Sequence, residues 1–309
     1  MIWITSEVDG EVYKEPFSKG ILSRSLYIAD IGAQKAHEIA SDIEKNLIEK
    51  GITEIASYDL ANEILDYLET FNPIIARKYR NWRSLRNSKK PLIILIGGAS
   101  GVGTSSMAFE LASRLRLKNL ISTDMIREVM RKIVSKDLSP VIHKSSFDAH
   151  ESLRTTSIRV DNVIEGFISH VDVVNVGIEA IIERSVKEGI STIIEGVHVV
   201  PGFINSDLMK NNNIIVFTLT VEDEESHKQR FYSRCRQPWV KRPLERYMDN
   251  FDTIRKTQRF LKQQAKINDS RIIDNVDINR TIDLMVNDIL EQFGGMENVK
   301  QESEGNNDY

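Results

Sequence analysis

The stretch Pro91–Met107, PLIILIGGASGVGTSSM, decides the fold that this sequence predicts. Leu92–Ile96 is apolar throughout, which is typical of a strand buried on both faces of a parallel sheet. Gly97 and Gly98 end that strand, and from Ser105 the apolar residues recur with helical spacing. A glycine-rich turn between a strand and a helix N-terminus suits an anion, because unpaired backbone N–H groups and the helix dipole favour negative charge.

This turn matches the phosphate-binding pattern G-x-x-x-x-G-K-[ST] at every fixed position except the lysine, where Thr104 stands. The lysine normally neutralises charge on the transferring phosphate, so another cation must replace it or the site transfers no phosphate. A purely structural glycine turn is the alternative. We predict a nucleotide site here, with Ser105 as a contact of Mg²⁺. The predicted nucleotide-binding residues are Gly98, Ala99, Ser100, Gly101, Val102, Gly103, Thr104, Ser105 and Ser106.

Composition narrows the class of protein. The chain has 309 residues, a length typical of two domains, and 41% of them are hydrophobic, as in a globular protein with a sizeable core. The net charge of -4 gives no electrostatic basis for binding nucleic acid or an anionic membrane. The sequence has no apolar run long enough to span a membrane and no signal peptide. Its single cysteine, Cys235, indicates a reducing compartment, so we expect a cytoplasmic protein.

Residues 1–83 are expected to form a small, mostly helical domain of their own. A turn at Asp9-Gly10 predicts a hairpin between two short strands. Residues 84–91 are polar, basic and closed by a proline, which is typical of a linker. Four amphipathic helices are predicted after the hairpin, over Ser18–Ala29, Gln34–Lys50, Tyr58–Phe71 and Ile74–Trp82.

Strands and helices alternate from Leu92, which predicts an α/β domain with a parallel sheet and flanking helices over residues 92–293. A long helix is predicted over Val171–Glu188, with Gly189 as its stop. The polar residues 294–309 are predicted to be a disordered tail.

Two acidic residues end predicted strands of this sheet, at the edge where ligands bind in open α/β sheets. Asp124 follows Leu120–Thr123, and a carboxylate there can orient or deprotonate a substrate hydroxyl; capping of the next helix is the alternative. Glu195 follows Thr192–Ile194 in the manner of a Walker B acid that supports Mg²⁺; a turn or cap role is the alternative.

An arginine cluster lies around Pro238 and Pro243. We predict a lid in which Arg230, Arg234 or Arg242 supplies the charge that Thr104 lacks, and assign these arginines a catalytic role beside Asp124. A solvated charged helix followed by a loop is the alternative.

A polar segment between core elements carries His143, Lys144 and Arg154. Together with Arg127, one helical turn beyond Asp124, these residues are candidates for binding the anionic groups of a substrate. A surface linker is the alternative for the segment, and an exposed helical arginine for Arg127.

Several separated motifs, in this order along the chain, resemble those of the archaeal 2-phosphoglycerate kinases. They are Ile96–Ser105, Ser122–Glu128, Glu195–His198 and Pro201-Gly202. The resemblance implies the P-loop NTPase kinase fold, with ATP and Mg²⁺ as cofactors. The activity implied is phosphorylation of 2-phosphoglycerate, a small phosphorylated acid, to 2,3-bisphosphoglycerate, the first step toward cyclic 2,3-diphosphoglycerate in methanogens. The residues themselves leave open a kinase of another phosphorylated acid or polyol, and a non-catalytic nucleotide sensor.

The N-terminal residues resemble the ATP-cone, a nucleotide-binding regulatory domain. The resemblance implies that Lys19 meets a phosphate of a regulatory nucleotide. The basic pair that usually precedes the turn glycine is absent before Gly10, and an ordinary helical docking domain is the alternative. The motifs that carry the resemblance are Glu15–Lys19, Ser25-Leu26, Ile52–Ile55 and Ile75–Tyr79.

Overall fold

The computed structural model divides into two compact units, residues 1–88 with residues 286–294, and residues 89–285. Among its described residues, no helix has the length and apolar character needed to cross a membrane. The residues described are 1–8, 10–29, 31–88, 90–153, 161–210, 213–236 and 243–294. Of the predicted tail 294–309, Gly294 is the last residue of a helix, and residues 295–309 lie outside the described ranges.

The N-terminal unit begins with the predicted hairpin, β1 (Trp3–Val8) paired antiparallel with β2 (Glu11–Pro16). A third strand that the sequence did not predict, β3 (Glu54–Ala56), pairs parallel with β1. The helices are α1 (Lys19–Leu26), α2 (Ala33–Glu49), α3 (Ser57–Phe71) and α4 (Pro73–Asn87). They enclose an apolar core in which Leu26, Ile39, Leu47 and Leu68 are fully buried.

Helix α4 extends further than the sequence predicted. Ala76, Tyr79, Trp82 and Leu85 are buried at intervals of three residues, so the apolar face continues beyond Trp82. Residues 84–87, which we expected to begin a linker, therefore form the last turn of a helix.

The second unit is built on a five-stranded parallel sheet in the order β5-β6-β4-β7-β8. The central strand β4 is the predicted one, and Ile93, Ile94, Leu95 and Ile96 are all fully buried. The α/β fold with flanking helices, preceded by a small and mostly helical domain, is confirmed. The strands are β4 (Ile93–Gly98), β5 (Asn119–Ser122), β6 (Thr192–Gly196), β7 (Ile214–Thr220) and β8 (Arg271–Asp274).

Helices alternate with these strands along the chain. Helix α7 (Asn162–Glu188) is longer than predicted, and Asp161 caps its N-terminus by accepting a hydrogen bond from Val163 N over 3.0 Å. The helices that follow β4 along the chain are α5 (Thr104–Leu115), α6 (Thr123–Ile133), α7 (Asn162–Glu188), α8 (Ser206–Met209), α9 (Glu224–Cys235), α10 (Leu244–Asp249), α11 (Phe251–Ile267) and α12 (Ile278–Gly294).

Candidate active site

The phosphate-binding loop follows β4 and ends where α5 begins. Gly101 and Gly103 have φ angles of 87° and 95°, a backbone conformation that favours glycine. A Cβ atom at Gly103 would lie 2.9 Å from Nδ2 of Asn275, and one at Gly101 would lie 2.5 Å from Cζ of Phe231. The loop thus needs glycine at both positions, for its backbone conformation and for the close approach of its neighbours.

Two hydroxyl groups at the start of α5 converge on the carboxylate of Glu195. Thr104 Oγ1 donates to Glu195 Oε2 over 2.7 Å, and Ser105 Oγ donates to Oε1 over 3.0 Å. The pairing of β4 with β6 sets Ile96 opposite Glu195, which brings this carboxylate next to the loop. The side chain that replaces the expected lysine therefore contacts the acid that ends the neighbouring strand.

This oxygen cluster fits a magnesium ion that arrives with a nucleotide. Carboxylate and hydroxyl oxygens are ligands that Mg²⁺ prefers, and it keeps several waters or phosphate oxygens besides. Within the described ranges, no group of three or more His, Cys, Asp or Glu side chains could hold a metal ion by itself. Ser105 and Glu195 would therefore share the ion with phosphate oxygens and water.

Arg230 on α9 lies directly against the phosphate-binding loop. Its Nη1 donates to the carbonyl oxygen of Val102 over 2.8 Å, and its Nη2 donates to the carbonyl oxygen of Asn275. Burial lowers the pKa of this guanidinium, and the charge of Asp274 acts in the opposite direction. A half-buried cation thus lies beside the loop that lacks a lysine.

Of the other two predicted lid arginines, the structure describes Arg234 but not Arg242. Arg234, one helical turn beyond Arg230, lines the same cavity as the phosphate-binding loop. Arg242 lies outside the described residues. The lid itself, around Pro238 and Pro243, stays a prediction.

Asp124 lies in the first turn of α6, at the carboxyl end of β5, and its side chain is half exposed toward the cavity. The N-cap residue of α6 is Ser122, whose Oγ accepts a hydrogen bond from Asp124 N over 3.3 Å. Asp124 therefore does not cap this helix, contrary to the alternative considered above. Its Oδ1 is 3.8 Å from Nε of Arg127, which gives the carboxylate a cationic neighbour.

These groups surround one cavity of about 570 Å³. Of the nine predicted nucleotide-binding residues, all except Val102 line it. Val102 is fully buried, and its carbonyl oxygen accepts hydrogen bonds from Arg230 and Asn275. Its side chain serves the packing of the loop. Asp124, Glu195, Arg230 and Arg234 line the same cavity, so loop, carboxylates and arginines face a common space.

Of the residues predicted to bind the substrate, Arg127, His143 and Lys144 are not among those that line this cavity. Arg127 Nη1 donates to the carbonyl oxygen of Lys144 over 2.5 Å, and Lys144 Nζ is 2.5 Å from Oε2 of Glu151. His143 Nε2 is 3.0 Å from the carbonyl oxygen of Val134. Arg154 lies outside the described residues.

Asn275 and Ser146 are polar residues of the cavity wall that were not found from the sequence. Asn275 follows β8 and donates from Nδ2 to the carbonyl oxygen of Val102 over 2.8 Å. The strand-end rule that selected Asp124 and Glu195 also points to Asn275, since this residue directly follows the strand Arg271–Asp274. Ser146 lines the cavity from the polar segment, and its sequence context gives no signal that separates it from its neighbours.

In the N-terminal unit, Lys19 lies at the start of α1, where Ser18 is the N-cap residue. Its Nζ is 2.9 Å from Oε2 of Glu44 on α2. A phosphate group at Lys19 would therefore have to compete with a carboxylate for this ammonium group.

Comparison with known proteins gives close relatives over most of the chain. The ATP cone domain family matches residues 9–88. A 2-phosphoglycerate kinase from Methanothermobacter thermautotrophicus is 50% identical over 287 residues, covering 93% of this chain and 94% of that protein. One from Methanopyrus kandleri is 44% identical over 274 residues, covering 89% and 84%. Among solved structures, a shikimate kinase from Acinetobacter baumannii in complex with shikimate has 16% identity and a TM-score of 0.40, covering 67% of this chain and 97% of that one.

Proposed function

Since the chain belongs to the 2-phosphoglycerate kinase family, we propose that it transfers the γ-phosphoryl group of ATP to the free hydroxyl group of 2-phosphoglycerate. The products are ADP and 2,3-bisphosphoglycerate. The single cysteine is in keeping with a cytoplasmic enzyme.

One observation carries this proposal. The hydroxyl groups of Thr104 and Ser105 meet the carboxylate of Glu195 on the same cavity that Asp124 lines. Phosphoryl transfer needs a cradle for the phosphates, a metal ligand and a group that orients the attacking hydroxyl, all within the reach of one substrate pair. The glycine loop, Glu195 with Ser105, and Asp124 are our assignments for these three roles.

The nucleotide binds with its phosphates along residues 98–106, where backbone N–H groups at the start of α5 offer hydrogen bonds. Mg²⁺, bound at Ser105 and Glu195, would draw charge from the β- and γ-phosphate oxygens. The buried position of Glu195, which is 4% exposed, strengthens its attraction for a cation.

In the transfer step, the hydroxyl oxygen of the acceptor forms a bond to the γ-phosphorus. The bond from that phosphorus to the β,γ-bridging oxygen breaks, and the electron pair leaves on ADP. Asp124 accepts a hydrogen bond from the attacking hydroxyl and takes its proton as the new bond forms. Its exposed carboxylate can then release the proton to water.

Arg230 compensates for the missing lysine. Negative charge builds up on the oxygens of the transferring group and the leaving ADP, and a fixed guanidinium stabilises that charge in the transition state. Arg230 lies beside Gly103, since a Cβ atom there would be 3.4 Å from its Nη1. Arg234 and Arg242 are further candidates for the same role.

The acceptor carries a carboxylate and a phosphate, and both require cationic or polar partners. Arg127 is the foremost candidate, because it lies next to Asp124 and its side chain is 16% exposed. His143, Lys144 and Arg154 remain candidates for the second anionic group. Lys144 could bind this group only after its ion pair with Glu151 had opened.

The proposal is tested by measuring ADP release with 2-phosphoglycerate and 3-phosphoglycerate side by side, together with a panel of phosphorylated acids and polyols. We expect kcat/KM for 2-phosphoglycerate to exceed that of every other acceptor by at least about tenfold, which is about 1.4 kcal/mol in transition-state stabilisation. Preference for another acceptor would mean a different kinase. Binding of ATP without ADP formation from any acceptor would mean a nucleotide sensor.

A regulatory nucleotide at the N-terminal unit is a separate proposal, which the match to the ATP cone family supports. It requires Lys19 to exchange Glu44 for a phosphate oxygen. Calorimetric titration of the full chain with a non-hydrolysable ATP analogue should give two sites per chain, and one site in the variant Lys19→Met. A single site in the unaltered chain would contradict it.

A further inference from the structure

Two buried histidines that the proposed reaction does not use form a chain behind Asp124. His170 on α7 and His198, which follows β6, are both fully buried. His198 Nδ1 is 2.8 Å from Oγ1 of Thr123, and His198 Nε2 is 3.1 Å from Nδ1 of His170. We call Thr123, His198 and His170 the histidine chain.

One end of the histidine chain reaches the residue before Asp124, and the other end lies beside the backbone of Lys144. At the first end, Thr123 directly precedes Asp124 in the first turn of α6. At the other end, His170 Nε2 is buried without a hydrogen-bond partner among the described residues, and the backbone of Lys144 acts to raise the pKa of this ring. Lys144 is two residues before Ser146, which lines the cavity. Arg127 contacts both Lys144 and Asp124. Its Nη1 donates to the carbonyl oxygen of Lys144 over 2.5 Å, and its Nε lies 3.8 Å from Oδ1 of Asp124.

Both rings of the histidine chain are neutral, and we assign the proton of His170 to Nε2. Burial, followed by the charge of Arg127, lowers the pKa of His198 to about 3. Burial, then His198 and Arg127, lowers the pKa of His170 to about 3, while Asp124 and the backbone of Lys144 act in the opposite sense. A neutral imidazole has one donor and one acceptor nitrogen. With the proton of His170 on Nε2, its Nδ1 accepts from His198 Nε2–H, and His198 Nδ1 accepts from the hydroxyl of Thr123.

The backbone at residue 196 leaves room for the contact between Thr123 and His198. Gly196, between Glu195 and His198, has a φ of 139°, and a Cβ atom there would clash with Oγ1 of Thr123. Any larger residue at 196 would therefore displace the Thr123 hydroxyl from His198. The carboxylate proposed as the base thus follows Thr123, whose hydroxyl lies between a closely fitted glycine and the first of two buried imidazoles.

We propose that His170 and His198 are positioning residues that act through Thr123. They fix the first turn of α6, with Asp124, relative to the segment that carries Lys144 and Ser146, and so set the space in which the acceptor is held. This inference rests on the proposed function. It assigns the histidine chain to the acceptor and not to the nucleotide, because its ends lead to Asp124 and Ser146 and neither end reaches residues 98–106.

The kinetic test compares Thr123→Val, which removes the hydroxyl at nearly constant size, with Thr123→Ser, which keeps it. In the full chain, Thr123→Val should raise KM for 2-phosphoglycerate at least fivefold and lower kcat at least tenfold, while KM for MgATP stays within twofold. Thr123→Ser should recover most of both losses. His37→Asn, at an exposed position on α2, is the control and should equal the unaltered protein. Equal changes in the two KM values, or no change in either, would overturn the proposal.

A second measurement on the unaltered protein does not depend on how the variants fold. NMR of the histidine ring nitrogens should find His170 and His198 neutral at pH 6, each with its proton on Nε2. Addition of 2-phosphoglycerate should shift both sets of signals, and a non-hydrolysable ATP analogue alone should not. A charged ring, the other tautomer, or signals that do not respond to the acceptor would overturn the proposal. Absence of ADP formation by the unaltered protein would instead refute the proposed function. The ring tautomers would still test the hydrogen bonds of the histidine chain.

Discussion

Thr104 Oγ1 donates a hydrogen bond to Oε2 of Glu195 over 2.7 Å, at the position where the phosphate-binding pattern has a lysine. The residue at 104 is therefore directed toward the acid that we assign to the metal, and carries no charge of its own. The positive charge that phosphoryl transfer requires must come from another element. Arg230 on α9 is a cation that contacts this loop, since its guanidinium donates a hydrogen bond to the carbonyl oxygen of Val102.

Replacing Arg230 tests where this charge comes from. Arg230→Ala should lower kcat by roughly 10²- to 10³-fold, the usual loss when a fixed donor to a developing oxyanion is removed. Arg230→Lys should recover part of the loss, because an ammonium restores the charge without the two-pronged geometry. Steady-state kinetics with MgATP and 2-phosphoglycerate measure both. Arg259→Ala, at an exposed position of α11, is the matched control and should leave kcat unchanged.

Arg234→Ala and Arg242→Ala complete this series. If all three alanine variants kept turnover within about twofold of the unaltered protein, the arginine account of the missing lysine would be wrong, since an effect of that size is under about 0.5 kcal/mol.

Replacing Glu195 tests the metal assignment. Glu195→Gln keeps the size of the side chain and one acceptor oxygen for Thr104 or Ser105, but removes the charge. The Mg²⁺ concentration for half-maximal activity should rise at least about tenfold, because a neutral amide is a weaker ligand for a hard cation. Titration of activity with Mg²⁺ at fixed ATP measures this, and Glu183→Gln, exposed on α7, is the control. An unchanged Mg²⁺ requirement would count against Glu195 as a metal residue.

Replacing Asp124 tests the proposed base. Asp124→Asn should lower kcat by about 10²- to 10⁴-fold, the usual contribution of a general base, and leave the affinity for ADP unchanged. Rapid-quench measurement of the chemical step and calorimetric titration with ADP separate the two quantities. Glu128→Gln, one turn along α6 and also exposed, should be active. A variant Asp124→Asn with a normal chemical step would contradict the assignment.

The buried histidines predict how stability depends on pH. His170 and His198 have a pKa of about 3 in the folded protein, well below the ordinary histidine value. Below about pH 6.5 the unfolded chain therefore binds protons that the folded chain does not, and the free energy of unfolding falls as the pH falls. Between pH 7.5 and pH 5 each ring should lower it by on the order of 2 kcal/mol. The loss continues until the pH reaches about 3, where the folded rings also take up protons.

Denaturant unfolding curves between pH 5 and pH 7.5 measure this dependence. The double variant His170→Asn, His198→Asn removes both rings and should have a flatter profile than the unaltered protein, whatever its absolute stability. Parallel profiles for the two proteins would contradict the assignment of neutral rings.

The sequence predicts the second unit well where the signal is local. The apolar run Leu92–Ile96 predicts a buried strand, and the spacing of the glycines after it predicts a phosphate-binding turn. The resemblance to the 2-phosphoglycerate kinases and to the ATP-cone is confirmed by relatives over most of the chain and by the family match at 9–88. Strand β3 was missed because Glu54–Ala56 is only three residues long and is defined as a strand by its pairing with β1.

The candidate site was harder to predict, because its contacts join residues far apart in the chain. Thr104 and Glu195 are 91 residues apart, and only the register of β4 against β6 brings them together. The same is true of Thr123 and His198, whose contact depends on a glycine at 196. Sequence spacing identified the acids at the strand ends, but it could not identify which buried imidazoles lie behind them.

The central claim is that ATP bound at this lysine-free loop donates its γ-phosphoryl group to the hydroxyl of 2-phosphoglycerate. It is tested most directly by following the full chain with MgATP and 2-phosphoglycerate by ³¹P NMR. We predict that the γ-phosphate signal of ATP declines while the signals of ADP and of a second phosphate ester on the acceptor grow in equal amounts. Release of the γ-phosphate as inorganic phosphate, or persistence of ATP with the acceptor unchanged, would contradict the claim.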